Sequence, residues 1–141
     1  MNHDFNIGNC ENKENWWTYL LENNIIAAGF DGALGDQGTN ILCHRVVKGD
    51  WIFAYSSTHG YVGIGLAESR DTYVLLLDTD YQPHRRGIQW LYYVESLNDA
   101  IPAKNMGIYH PVPTEQTISD EKAEKILRAF LQHPKTVIRF K

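Results

Sequence analysis

The chain has 141 residues, 43 % of them apolar and 21 % charged, which is enough for one hydrophobic core and ordinary for a globular domain. A net charge of −4 excludes a protein that holds nucleic acid by charge alone, and no run approaches the roughly 20 apolar residues of a transmembrane helix. Cys10 and Cys43, with no CxxC or Cys/His ligand spacing, give neither a disulfide framework nor a metal site.

Residues 1–11 are polar and read as loosely ordered. They lack the basic-then-apolar layout of a secretory signal, so a cytoplasmic location is the expectation. Asn15–Asn23 reads as a helix, with Trp16, Trp17, Leu20 and Leu21 at helical spacing as packing residues. Ile25–Phe30 is a short apolar strand, and Asp31–Asn40, with three glycines and two acids, is a loop. Ile41–Val46 fits a short helix or a short strand. Lys48-Gly49-Asp50 is a turn, Trp51–Tyr55 a strand, Ser56–Gly60 a polar turn and Tyr61–Glu68 the returning strand. Gly63 and Gly65 within that strand let a neighbouring group approach.

Thr72–Leu77 is a continuous apolar run, as in a strand buried on both faces. Asp78–Arg86 is a polar loop. Gly87–Val94 alternates Ile88, Trp90 and Tyr92 on one face with Gln89, Leu91 and Tyr93 on the other. Leu97–Pro113 is mostly loop. Ser119 begins a helix whose N-terminal end carries Asp120 and Glu121 and whose apolar stripe is Ala123, Ile126, Leu127, Phe130 and Leu131. Thr136–Phe140 is a last short strand. The pattern gives one domain, residues 1–141, of the α+β class: a five- to six-stranded barrel flanked by helices.

Catalytic signatures are missing from the sequence. It has no Gly-x-Ser-x-Gly elbow, P-loop, Rossmann fingerprint or HExxH motif. Glu68 and Asp71 read as a solvated strand end, and His44, His59, His84, His110 and His133 are scattered. The expectation is a binding protein without catalytic residues, metal or cofactor. Charge is uneven along the chain: residues 1–70 hold 4 Lys/Arg against 8 Asp/Glu, and residues 71–141 hold 9 of each. Phosphate contacts are therefore expected from the second half.

Four strings, in order, resemble the EVE/YTH division of the PUA-like superfamily. They are IIAAGFDGALG (25–35), the hairpin KGDWIFAY with its GIG return strand, HRRGIQWL (84–91) and the polar tail 105–118. The similarity is nearest to EVE-like N-terminal domains of McrB-type restriction proteins. Phe30 stands where such domains often carry tryptophan. The resemblance implies a PUA-like barrel and a reader that takes one modified, methylated base of DNA or RNA into an aromatic pocket by base flipping. A restriction-modification or prokaryotic defence setting is implied with it.

A flipped base needs flat walls and groups for its Watson–Crick edge. On that basis the resemblance nominates Phe30, Asp31, Tyr55, Ser56, Tyr73, Tyr81 and Trp90 for the pocket. Each also has a plainer reading: Phe30 and Trp90 as core, Asp31 as a turn former. His84, Arg85 and Arg86, the dense basic spot of the middle chain, are nominated with Lys104 as phosphate contacts, for which arginine's planar donors are suited. The partner expected is DNA or RNA with a modified base, not a membrane. The alternative is a small-molecule or protein interaction module on the same barrel, which the negative charge favours.

Overall fold

The computed structural model describes residues 1–8, 16–29, 35–76, 81–109 and 112–139. Among them the strands and helices are β1 (Asn2–Asn6), α1 (Trp16–Asn23), β2 (Ile25–Ala28), α2 (Gln37–Thr39), β3 (Trp51–Ser56), β4 (Gly60–Ala67), β5 (Val74–Leu75), β6 (His84–Tyr93), β7 (Glu115–Ile118), α3 (Asp120–Gln132) and β8 (Val137–Ile138). The α2 turn runs on as a π-helical turn over Asn40–Arg45, which settles the segment that fitted either helix or strand. The strands form one mixed sheet in the order β2-β6-β4-β3-β1-β7, with β5 and β8 also on β6.

The β3–β4 hairpin forms where its sequence places it. Gly49 takes φ +88 in the turn before β3, and Ile52, Phe53 and Ala54 are buried on both faces of that strand. The two β4 glycines make room for rings. A Cβ on Gly63 would stand 2.7 Å from the Trp17 ring, and one on Gly65 would stand 2.5 Å from Ile88. Trp17 and Trp90 then meet edge to face at 5.0 Å. Their indole N–H groups donate to Val94 O at 2.7 Å and Leu20 O at 3.2 Å. Both tryptophans are core, held by backbone acceptors that satisfy their one polar atom. Trp90 is therefore no pocket wall: it is fully buried against α1.

The first residues are a strand, not a loose tail. β1 lies between β3, to which it runs parallel, and β7, to which it runs antiparallel. Its polarity misleads because His3 and Asp4 are fully buried yet paired. His3 Nδ1 meets Glu115 Oε2 and His3 Nε2 meets Asp50 Oδ2, both at 2.8 Å. Asp4 Oδ2 accepts from Tyr61 Oη, Gln116 Nε2 and Lys122 Nζ.

The apolar run 72–77 is also corrected. Among its described residues, 72–76, only Val74–Leu75 is strand, and Val74 is 46 % exposed. β4 accompanies β6 only as far as the Ala67–Ile88 pair, so β5 fills a two-residue gap at the outer end of β6. Conversely, β6 begins at His84, inside the expected polar loop. The last helix is capped as expected, with Ser119 Oγ accepting from Lys122 N–H at 3.1 Å. Its buried stripe is narrower than expected: Ala123, Ile126 and Phe130 are buried, but Leu131 is 54 % exposed.

Candidate nucleic-acid interface

The start of β6 organises the candidate site. Ala28 of β2 pairs with His84 on one side and Leu75 of β5 pairs with it on the other. His84 and Arg85 are consecutive strand residues, so their side chains leave opposite faces. The nominated residues consequently divide into two groups.

On the first face, His84 is fully buried. Its Nδ1 lies 2.8 Å from Tyr73 Oη, and the two rings stack at 6.1 Å. Tyr73 Oη continues to Thr39 Oγ1 at 3.0 Å, which accepts from Gly35 N–H at 2.9 Å. Burial pushes the Tyr73 phenol up, and the Thr39 contact only partly offsets this. His84 Nε2 is 2.8 Å from Asp36 Oδ1, but out of line for a hydrogen bond. The same Asp36 oxygen caps α2 by accepting from Gly38 and Thr39 N–H. Gly38 is required here, because a Cβ would lie 2.2 Å from the imidazole. Asp36, Thr39 and Tyr73 thus form a polar wall around one imidazole.

On the second face, Arg85 lies 5.4 Å from the Trp16 ring and 5.2 Å from the Tyr19 ring. It donates to Tyr19 Oη at 2.6 Å and to Gln82 O at 3.3 Å. Trp16 stacks on Tyr19 at 5.2 Å and takes Tyr81 edge-on at 4.8 Å. Trp16 Nε1 donates to Gln82 Oε1 and Gln82 Nε2 to Ile7 O. This is an aromatic cluster closed around a cation.

The three basic residues at 84–86 do not form an exposed clamp. Arg86 is fully buried and donates to Leu42 O, Val46 O and Glu68 O at 2.6, 2.7 and 2.8 Å. Its guanidinium ties the π-helical turn and the end of β4 to β6. Arg85 is 6 % exposed and His84 is buried, so neither presents its charge to a phosphate. Lys104 is exposed. Ser56 is buried and donates to Gly8 O at 2.9 Å, and half-buried Tyr55 packs on Tyr61 at 5.1 Å. Phe30 and Asp31 lie outside the described residues.

Sequence reading missed His3, Asp36, Thr39 and Trp16 with Tyr19 as contributors. Trp16 carried one signal, a tryptophan pair at the start of an amphipathic helix. The roles of His3, Asp36 and Thr39 depend on partners 34 to 112 residues away and leave no local signal.

No protein-family model matches the chain, and no curated protein matches it in sequence. Solved structures do match in shape. The YTH domain of Zygosaccharomyces rouxii MRB1 in complex with N6-methyladenosine RNA superposes with TM-score 0.61 at 14 % identity, covering 92 % of this chain and 86 % of that one. The YTH domain of Toxoplasma CPSF4, bound to a 7-mer m6A-modified RNA, gives 0.61 at 10 % identity, covering 96 % and 94 %. Protein PSPTO5229 of Pseudomonas syringae gives 0.56 at 16 % identity, covering 92 % and 99 %. At these identities the likeness establishes the fold: an α+β, PUA-like sheet of the YTH type.

Proposed function

We propose that this protein is a non-catalytic reader of a methylated base in single-stranded RNA, taking the base at the start of β6. The observation that carries the reading is the match over nine-tenths of the chain to YTH domains whose structures contain N6-methyladenosine RNA. The local chemistry agrees with it. The start of β6 carries flat rings, Tyr73 on the His84 face and Tyr81, Trp16 and Tyr19 on the Arg85 face, and fixed hydrogen-bonding groups on Asp36, Thr39 and Tyr73, all on the His84 face. Stacking and desolvation of a methyl group need the former, and reading a base edge needs the latter. No described helix is long and apolar enough to cross a membrane.

DNA is the second reading, and one observation favours it: the four sequence strings resemble most nearly the EVE-like domains of McrB-type restriction proteins. The test is a binding panel of short RNA and DNA strands, each with adenine or N6-methyladenine at one position, read by intrinsic tryptophan fluorescence. The expected outcome is a preference for methylated RNA, reduced about tenfold by Tyr81→Ala or Phe30→Ala, with no strand cleavage or base release. Equal affinity for methylated and plain strands would overturn the reading, and a preference confined to DNA would replace it with the second.

A further inference from the structure

The β3–β4 turn and residues 102–109 enclose a cleft of about 430 Å³, within the size range of small-ligand pockets. It is lined by Tyr55, Thr58, His59, Pro102, Lys104 and Tyr109, among others. We propose that this cleft is a second subsite, holding the phosphate and base of a nucleotide that flanks the modified one. The proposal rests on the reader function above.

Charge singles the cleft out. The chain is net negative, and three other clefts between described residues each carry a carboxylate: Glu68 in one, Glu115 in another, Glu22 and Glu95 in the third. Each of those three is also lined by an arginine, Arg139 or Arg45, whereas this cleft has Lys104 and His59 with no carboxylate. His59 Nδ1 is held by Ser56 Oγ at 3.1 Å, which orients the ring. Lys104 is the one nominated phosphate contact that the fold leaves exposed.

An aromatic ring stands ready beside Lys104 and His59. Tyr109 is 79 % exposed, the largest exposure of any aromatic side chain among the described residues. It is not on a loose loop end. Ile108, its neighbour, is buried and its N–H donates to Ala103 O at 3.1 Å. A ring fixed at its backbone and open on its faces is what base stacking uses, and every base offers a π-face.

The floor of the cleft is rigid. Tyr61 and Ile101 exchange two backbone hydrogen bonds of 2.9 Å. Gly60, at φ +130, lies so close to this segment that a Cβ would meet Ile101 O at 2.3 Å. The cleft also adjoins the candidate base site. Gly8 accepts from Ser57 N–H and Ser56 Oγ on the hairpin side, and its Cα faces Tyr81 Oη and Gln82 Nε2 on the other.

The test uses the whole chain with Tyr109→Ala, Tyr109→Trp and Lys104→Ala, all changes at exposed positions. Each is titrated with a methylated RNA heptamer, the plain heptamer and free N6-methyladenosine. The expected result is about a tenfold loss on both heptamers for Tyr109→Ala, with Tyr109→Trp retaining affinity. Lys104→Ala should lower the logarithmic salt slope by about 0.7, one phosphate of a single strand. Binding of the free nucleoside should not change. Heptamer affinity within twofold of the parent for Tyr109→Ala, or a loss on the free nucleoside as large as on the heptamers, would overturn the subsite. If the parent chain does not distinguish methylated from plain heptamer but Tyr109→Ala still weakens both, the subsite stands and the reader function falls.

Discussion

Two buried histidines in this protein meet carboxylates, and they do different things. His3 on β1 sits between Glu115 and Asp50 with both ring nitrogens in hydrogen-bonding contact. Arg45 braces Glu115 from outside at 2.6 Å. His84 on β6 meets a carboxylate at one nitrogen only, and off line, while its other nitrogen meets a phenol. The first arrangement is closed and fully paired, and its partners, Glu115 on β7, Asp50 in the turn before β3 and Arg45 in the π-helical turn, are far apart in sequence. The second is incomplete, and it lies at the start of β6, on the face opposite the aromatic cluster around Arg85. The contrast teaches that buried charge by itself does not mark a site here. The network with the better geometry holds the fold, and the one with a nitrogen left out of line borders the candidate interface.

The largest expected effect comes from breaking the closed network. His3→Leu fills the space but leaves two carboxylates facing an apolar side chain. Removing one partner of a buried ionic cluster costs about 3–5 kcal/mol, so the thermal midpoint at pH 7 should fall sharply. The loss should shrink below about pH 4, where carboxylates take up protons. An unchanged midpoint at pH 7 would show that the network is not what fixes β1.

The pH dependence of the parent protein sharpens the same point. Burial alone would raise the Asp50 and Glu115 carboxyls. Hydrogen bonds outweigh it, from Val47 N–H, His3 and the N-terminal ammonium to Asp50 and from His3 and Arg45 to Glu115, and both groups are held below their ordinary values of 3.8 and 4.5. A depressed carboxyl pKa contributes stability above the unfolded value and loses it as pH falls through the folded value. The midpoint should thus be level from pH 7 to about 5 and drop below about 4. In His3→Leu this acid step should be smaller. An acid step of equal size in both proteins would assign it to other carboxyls.

The sequence made legible what local pattern controls. The KGD hairpin, the α1 stripe, the start of α3 after Ser119 and the β6 alternation up to Trp90 follow from spacing and turn chemistry and are found; past Trp90 a bulge opposite Ile64–Gly65 breaks the alternation, and the α3 stripe is narrower than its pattern. What it concealed depends on distant partners. Asn2–Asn6 looks disordered because a polar strand normally faces water, and only Glu115, Asp50, Tyr61 and Lys122 make its burial tolerable. Arg85 and Arg86 look like a surface charge because dense basic residues usually are. One is enclosed by Trp16 and Tyr19, and the other is consumed by three carbonyls 18 to 44 residues away. For the candidate site, Tyr73 and Tyr81 do lie at the start of β6, yet they serve different faces of it. No single-residue pattern distinguishes those two outcomes.

The smallest expected effect tests the incomplete histidine directly. Tyr73→Phe keeps the ring stacked on His84 and removes only the hydroxyl that bridges His84 Nδ1 and Thr39 Oγ1. A lost hydrogen bond of this kind is worth about 1 kcal/mol, a fall of about 4 °C in the midpoint for a domain of this size. Fixing the imidazole matters little to a fold that has β2 and β5 on both sides of His84. It matters more to a base edge read against Asp36 and Thr39, since a loosened wall loses alignment before it loses stability. Affinity for the methylated strand should therefore fall several-fold while affinity for the plain strand holds. Equal losses on both strands, or none on either, would place His84 with His3 as a structural residue and move the base site away from this face of β6.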